Sequence, residues 1–193
     1  FEFNEVLDSY LLKPAAKGYQ AVTPDIVETA VGNFFGNLAD VGSTVNNLLQ
    51  LKGETAAQDF SRVVFNTTIG LGGVIDVATP MGLPEHKEDF GQTLGYWGVE
   101  SGPYLVLPFF GPSNVRDGIA KVPDSMLDPV GEVEHIPSRN QLYALRIVDT
   151  RAELLAAEGL LTGDRYTALR DAYMQRREFL INDGEADFDD DQF

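Results

Sequence analysis

The chain contains no cysteine, which removes disulfides and thiol chemistry from these 193 residues and leaves the redox compartment open. Basic residues are scarce: 14 Lys and Arg face 30 Asp and Glu, for a net charge of −16. Phosphate backbones and anionic headgroups both require a basic surface, so nucleic acid and simple charge attraction to a membrane are excluded as partners. No apolar run approaches the ~20 residues of a spanning helix. Any meeting with a membrane therefore proceeds through apolar contact. Only two histidines, His86 and His135, offer an imidazole base, and each lies in a proline-bounded polar segment. Hydrophobic residues nevertheless make up 44% of the sequence, enough for a folded domain with a sizeable core. The chain starts at Phe1 rather than methionine, so an N-terminal segment carrying any targeting signal is expected to have been removed.

The segment from Asp89 to Asp117, DFGQTLGYWGVESGPYLVLPFFGPSNVRD, organises the rest. It holds five glycines (91, 95, 98, 102 and 111) among six aromatics, Phe90, Tyr96, Trp97, Tyr104, Phe109 and Phe110. Each glycine costs about 1 kcal/mol in a helix interior, yet the segment is too apolar for a solvated loop. The expectation is a helical turn capped by Asp89, then a hairpin. Its arms are Leu94–Trp97 and Tyr104–Leu107, its tip is Gly98–Pro103, and Pro108 and Pro112 forbid long continuation.

Elsewhere helical spacing dominates. A first helix spans Phe1–Leu12, ending before Pro14, with a connector at Ala15–Tyr19. A second begins at a Thr23 cap with Pro24 in its first turn and runs to about Gly53, bending at Gly42. A third covers Glu54–Thr67, and the glycine-rich Ile69–Ile75 marks a break. Ser113 caps a further helix that stops at Pro123, and Pro129–Pro137 is irregular. Asn140–Glu158 and Asp164–Asn182 close the fold as antiparallel neighbours across a link at Gly159–Gly163. The domain is expected over 1–183, with 184–193 as an acidic, disordered tail. The fold class is mainly α: amphipathic helices plus a short glycine- and aromatic-rich hairpin.

No reaction assembles from the motifs. Gly98-Val99-Glu100-Ser101-Gly102 puts serine one place away from a nucleophile elbow. Gly70-x-Gly72-Gly73 has neither the third glycine of a dinucleotide fingerprint nor the Lys-Ser/Thr of a P-loop. Asp187, Asp189 and Asp191 alternate like a calcium loop without its glycine or closing glutamate. Asp89 and Asp117 read as helix caps or partners of Arg116 and Arg62 rather than as a carboxylate dyad. Neither catalytic residue, metal ligand nor cofactor is expected, and the chain reads as no enzyme.

Several ordered pieces carry a resemblance: FEFNEVLDSYLLKP from Phe1, NFFGNL from Asn33, VNNLLQ from Val45, FNTTIGLGGVIDVA from Phe65, the whole Asp89–Asp117 segment, and AYMQRREFL from Ala172. Together they span nearly everything from Phe1 to Gly184, and in them the chain closely resembles the MlaA (VacJ) family of outer-membrane lipoproteins. The resemblance implies a ring of amphipathic helices lying in the outer membrane around an amphipathic pore, with no spanning helix needed. It implies passive retrograde transport, in which mislocalised phospholipid leaves the outer leaflet and passes to the periplasmic carrier MlaC. It also implies association with a trimeric porin and a lipidated cysteine upstream of Phe1. On this basis the lipid path is expected to include Asn33, Phe34 and Phe35, with the phenylalanines toward lipid and Asn33 and Asn37 toward a polar lumen. The alternative has Phe34 in a core and the asparagines in solvent. A gating hairpin is expected at Gly95, Tyr96, Trp97, Gly98, Gly102, Tyr104, Leu105 and Leu107. The acidic tail either steers a basic carrier or only solubilises the chain. Two other classes stand beside this reading: a porin-binding interaction protein without its own lipid path, and a lipid-cleaving hydrolase, disfavoured by the missing nucleophile motif.

Overall fold

The computed structural model describes residues 1–156 and 164–184; the expected link at Gly159–Gly163 and the tail beyond Gly184 lie outside them. The fold is predominantly helical. Helix α1 (Glu2–Leu7) runs through a π-helical turn (Asp8–Leu12) directly into α2 (Lys13–Val22), so the expected break before Pro14 and the connector after it do not occur. Pro14 falls in the first turn of α2. The wider turn before it restarts the hydrogen-bond ladder where a missing N–H costs least.

Thr23 and Pro24 are extended, and α3 (Asp25–Leu49) starts one residue later than expected, with no side-chain cap. Asp25 and Glu28 in its first turn complement the helix dipole instead. Helix α3 lies along α4 (Gly53–Thr68), which returns across a turn where Leu51 takes φ +61°. The glycine-rich Ile69–Ile75 forms the expected break. A Cβ on Gly70 would stand 2.1 Å from the Ile75 carbonyl, so only glycine fits this turn.

Asp89 caps α5 (Phe90–Tyr96), accepting a hydrogen bond from the Gln92 N–H at 2.8 Å. This helix occupies the place of the expected first hairpin arm. The strand Tyr104–Leu107 (β1) was expected, but it pairs with the downstream Gly111–Asn114 (β2), in register from Tyr104–Asn114 to Leu107–Gly111. The three residues Pro108–Phe110 form the turn, and Phe109 takes φ +68°. Glycine propensity is overridden in α5 because its glycines permit close approach. A Cβ on Gly91 would sit 2.5 Å from Asp117 Oδ1.

Helix α6 (Val115–Leu127) is capped by Asn114 rather than Ser113, and it continues through Pro123, losing one N–H donor. A 3₁₀ turn at Pro129–Glu132 leads to α7 (Ile136–Glu153), which starts earlier than expected on a His135 cap. Helix α8 (Arg165–Ile181) follows, capped by Asp164. Helix α5 packs on α6 and α8, and α2 packs on α7.

The interior is inverted relative to a water-soluble protein. Fully or nearly fully buried positions include Asn37, Asp40, Asn46, Asn47, Gln50, Asp59, Arg62, Asn66, Asn114, Arg116, Asp117 and Arg177, whereas the buried apolar side chains are mostly alanines with Phe35 and Val130. Helix α6 shows the pattern at its clearest. Val115, Ile119, Val122 and Met126, spaced for one helical face, are exposed, and Arg116, Asp117 and Ala120 are buried.

Candidate lipid-contacting surface and cavities

Most of the buried polar groups satisfy one another, with Asn37 Oδ1 and Gln92 Oε1 among the exceptions. Arg62 donates from Nε to Asp40 at 3.0 Å and from Nη1 to the Leu83 carbonyl at 2.8 Å. Asn47 donates to Asp59 at 2.8 Å, and Asn66 Oδ1 accepts from the Val77 and Ala78 N–H groups at 2.8 and 3.0 Å. Gln50 reaches Glu88 at 2.8 Å, and Thr93 donates to Asn46 at 2.9 Å. Burial raises the Asp40 carboxyl to about 6 despite the opposing charge and hydrogen bond of Arg62. Asp89 goes the other way: burial favours its neutral form, but Arg177 and the Gln92 N–H outweigh burial and hold it low.

Outside this polar interior lies an apolar surface. Leu51 is 90% exposed and Tyr10 and Val22 are each 82% exposed; Ile26, Leu71 and Phe109 are also largely exposed. Burying one such side chain is worth ~1.5–3 kcal/mol, so a surface this apolar marks contact with lipid or protein. No helix among the described residues is long and apolar enough to cross a membrane.

Among the described residues, cavities open between the helices, and two bear on the site. The larger, about 610 Å3, is bounded by α1 with its π-turn, the hairpin turn, α7 and α8. Its wall is amphipathic. Leu7, Leu12, Phe109, Phe110, Ile147, Leu154 and Leu169 supply apolar area, and Arg146, Arg151 and Arg165 supply charge. Arg151 grips Asp8 through two hydrogen bonds of 2.6 and 2.9 Å, Arg146 holds Asp128 at 2.6 Å, and Arg165 lies 3.3 Å from Glu5. The hairpin turn is tied to α1: Asn4 donates to the Leu107 carbonyl at 2.8 Å and accepts from the Phe109 N–H at 3.0 Å. Phe3 meets Phe109 edge-on at 5.1 Å. The second cavity, about 490 Å3, is polar and lies against α2, α3, α4 and α7.

The expected site residues separate. Asn33 lines the polar cavity, as does Asn37, and Asn33 donates to the Val74 carbonyl at 3.2 Å. Phe34 is half-buried, whereas Phe35 is buried, edge-on to Phe34 at 5.2 Å and beneath Arg146. Phe35 therefore does not face outward as expected. Gly95 lies in α5 against Ile181 and Arg116. Tyr96 and Trp97 are half-exposed on the outer surface, and the Trp97 indole donates to the Leu49 carbonyl at 3.2 Å. Gly98 and Gly102 take positive φ in the turn before β1. Tyr104 stacks edge-on with Tyr166 and Tyr173, and Leu105 and Leu107 face Gly118 of α6. None of the residues from Gly95 to Leu107 lines either cavity; the hairpin contributes Phe109–Pro112 instead. Phe109–Pro112 were not expected to act as a unit, although a phenylalanine pair and a φ-restricting proline flank Gly111 there.

The catalytic candidates have structural work. His86 Nδ1 lies 3.0 Å from Asp59, and His135 caps α7 through Ser138. Among the described residues no group of His, Asp and Glu is arranged to hold a metal ion.

The sequence matches the family described as MlaA lipoprotein over residues 1–180. The intermembrane phospholipid transport system lipoprotein MlaA of Escherichia coli (strain K12) is 37% identical over 190 residues, covering 96% of this chain and 75% of that protein. Its namesake in Haemophilus influenzae is 34% identical over 189 residues, covering 95% and 75%. A solved structure described as the structural basis for maintenance of bacterial outer membrane lipid asymmetry superposes with a TM-score of 0.81 at 34% identity, over 94% of each chain. The chain belongs to the MlaA lipoprotein family.

Proposed function

We propose that this chain acts in outer-membrane phospholipid transport and so helps maintain lipid asymmetry, as a conduit and without catalysis. The observation that carries the reading is the inverted molecule: polar interior, apolar exterior and an amphipathic cavity between them. A phospholipid needs apolar walls for its chains and charged groups for its head. The cavity under the hairpin turn offers both, with Phe109, Phe110 and Leu169 near Arg151 and Arg165.

In the finer reading, the helices lie as a ring in the membrane, and mislocalised phospholipid leaves the outer leaflet through the amphipathic path. The path runs through the amphipathic cavity, and the hairpin turn Phe109–Pro112 gates it; the segment Gly95–Leu107, which lines neither cavity, supports that turn from behind. The lipid passes to the periplasmic carrier MlaC, a trimeric porin holds the chain in place, and a lipidated cysteine anchors it facing the periplasm. Family membership, and the description of relatives as intermembrane phospholipid transport lipoproteins, support transport and a lipid anchor; the carrier, the porin and the gate extend that reading.

The test is photo-crosslinking in membranes, with a photoreactive residue at Phe110, Tyr96 or Phe34 and a control at exposed Arg170. Crosslinks to phospholipid at Phe110 and absent at Arg170 are expected. Crosslinks to protein alone at all positions would overturn the lipid path and leave an interaction protein.

A further inference from the structure

The amphipathic cavity carries three guanidinium groups, and their surroundings differ. Arg151 and Arg165 face Asp8 and Glu5, carboxylates that line the same cavity and repel an anion entering beside them. Arg146 is placed otherwise. The carboxylate that holds it, Asp128, is not among the residues lining the cavity.

The Arg146 guanidinium is also fixed in place. Asp128 accepts from its Nη1 at 3.2 Å and its Nη2 at 2.6 Å, and Asp128 is itself held by the Val130 N–H at 3.1 Å. The rings of Tyr143 and Phe35 lie 5.1 and 5.9 Å from its central carbon, within cation–π range. A guanidinium has five N–H donors in a rigid fork. The contact with Asp128 uses one on each Nη, and among the described residues Arg146 makes no other hydrogen bond. Its side chain is 33% exposed, and Nε is not among the buried nitrogens left without a partner. The unused edge, Nε–H with an Nη N–H, is therefore accessible on a residue that lines the cavity.

Two parallel N–H groups on a held guanidinium match two oxygens of one anionic group. Because the side chain is already ordered, little rotamer freedom is lost when that group binds. The rest of the wall selects what carries the anion. Leu7, Leu12, Phe109, Phe110, Ile147 and Leu154 offer apolar area to hydrocarbon, in a volume of about 610 Å3 that suits an organic ligand.

We propose that Arg146 receives the phosphodiester group of a diacyl phospholipid in this cavity and thereby admits lipids that carry a phosphate over those that lack one. The inference rests on the transport reading, whose lipid it sorts. Asp128 acts as a positioning residue: it aims the fork and takes no part in contacting the lipid.

The test titrates the full chain in detergent micelles with phosphatidylglycerol and, separately, with diacylglycerol of the same acyl chains, and reads bound lipid by native mass spectrometry. Three variants accompany the native chain. Arg146→Gln and Asp128→Asn break the same ion pair, and asparagine still caps the 3₁₀ turn. Arg170→Gln removes an equal charge from an exposed pair outside the cavity. We expect saturable binding of the phospholipid, about tenfold or more tighter than that of diacylglycerol. Arg146→Gln should weaken phospholipid binding about tenfold or more, the loss of one hydrogen bond to a charged group, and leave diacylglycerol binding as it was. Asp128→Asn should lower the melting temperature as much as Arg146→Gln does, yet bind phospholipid at least as tightly as the native chain, because Arg146 keeps its charge and gains free donors. Arg170→Gln should change neither lipid. Equal weakening by Arg146→Gln and Asp128→Asn would reduce Arg146 to a structural role and overturn the proposal, as would equal binding of the two lipids by the native chain. Inorganic phosphate bound as tightly as the phospholipid, read by calorimetry, would overturn the lipid as the source of the phosphate. Crosslinks to phospholipid at Phe110 with no effect of Arg146→Gln would sink this proposal and leave the transport reading standing. Phospholipid binding that depends on Arg146, without such crosslinks in membranes, would sink the transport reading alone.

Discussion

At the scale of single residues, Arg177 is the contact on which the second half of the chain closes. Its guanidinium donates to Asp89 at 2.6 and 2.8 Å and lies 2.8 Å from Asp117, joining the cap of α5 to the first turn of α6. Tyr173, one turn earlier, donates to Asp117 at 2.7 Å. Removing one partner of such a buried network leaves charges without compensation and costs about 3–5 kcal/mol. Arg177→Met is therefore expected to lower stability by that amount in chemical denaturation. Arg177→Lys should restore only part, because an ammonium cannot make the forked contact. A loss below about 1 kcal/mol, the range of exposed pairs, would contradict the assignment.

Asp40 gives the pH dependence its sign. Burial lifts its carboxyl to about 6, so between the ordinary carboxylate range and pH 6 the folded chain keeps a proton that the unfolded chain loses. Its contribution to stability therefore falls as pH rises through that window. Asp89, held low by Arg177 against the opposing effect of burial, acts oppositely: its contribution is lost as pH falls below the ordinary carboxylate range. A carbon-13 titration of the Asp40 carboxyl should show a midpoint near 6; a midpoint at the ordinary value would refute it.

Among the elements, the hairpin and the helix turns show where apolar exposure overrides local preference. Leu51, Leu71 and Phe109 take the left-handed conformation that favours glycine, and each is strongly exposed. Leu51→Gly should therefore raise stability in detergent by up to about 1 kcal/mol, while weakening partition into vesicles. Unchanged partition would show that Leu51 does not touch lipid. The Asn4 latch makes a second prediction. Asn4→Ala removes both hydrogen bonds to the hairpin turn, and the Phe109 amide should exchange its hydrogen about ten- to hundredfold faster, for a loss of ~1–3 kcal/mol. Protection at the native level would mean that the turn holds itself.

The same elements show how far the sequence could be read. Helices α3, α4 and α8 follow from apolar spacing to within a few residues, as does the Asp89 cap, whereas α7 lies four to five residues upstream of its expected span. Helix α5 was legible as the turn capped by Asp89, but its continuation to Tyr96 was hidden because Gly91 and Gly95 lower its propensity, and their reason, contact with Asp117, Arg116 and Ile181, lies in distant parts of the chain. The continuous α1–α2 run was hidden because proline ordinarily ends a helix, and here a π-turn places Pro14 in the first turn of α2. The faces were hidden for another cause: a 3.6-residue period identifies a stripe but not whether it meets lipid, core or water. Asn33 and Asn37 could be paired on one helix by spacing, but the larger cavity draws on α1, the hairpin, α7 and α8, whose meeting no local pattern records.

For the molecule as a whole, the account rests on the apolar exterior meeting acyl chains. Trp97, the chain's single tryptophan, is half-exposed on that exterior. The direct measurement is its fluorescence in the native protein reconstituted into vesicles whose acyl chains carry bromine. The account predicts that bromine quenches most of the emission and that aqueous acrylamide has little effect. Strong quenching by acrylamide with none by bromolipid would place this surface in water and contradict the account.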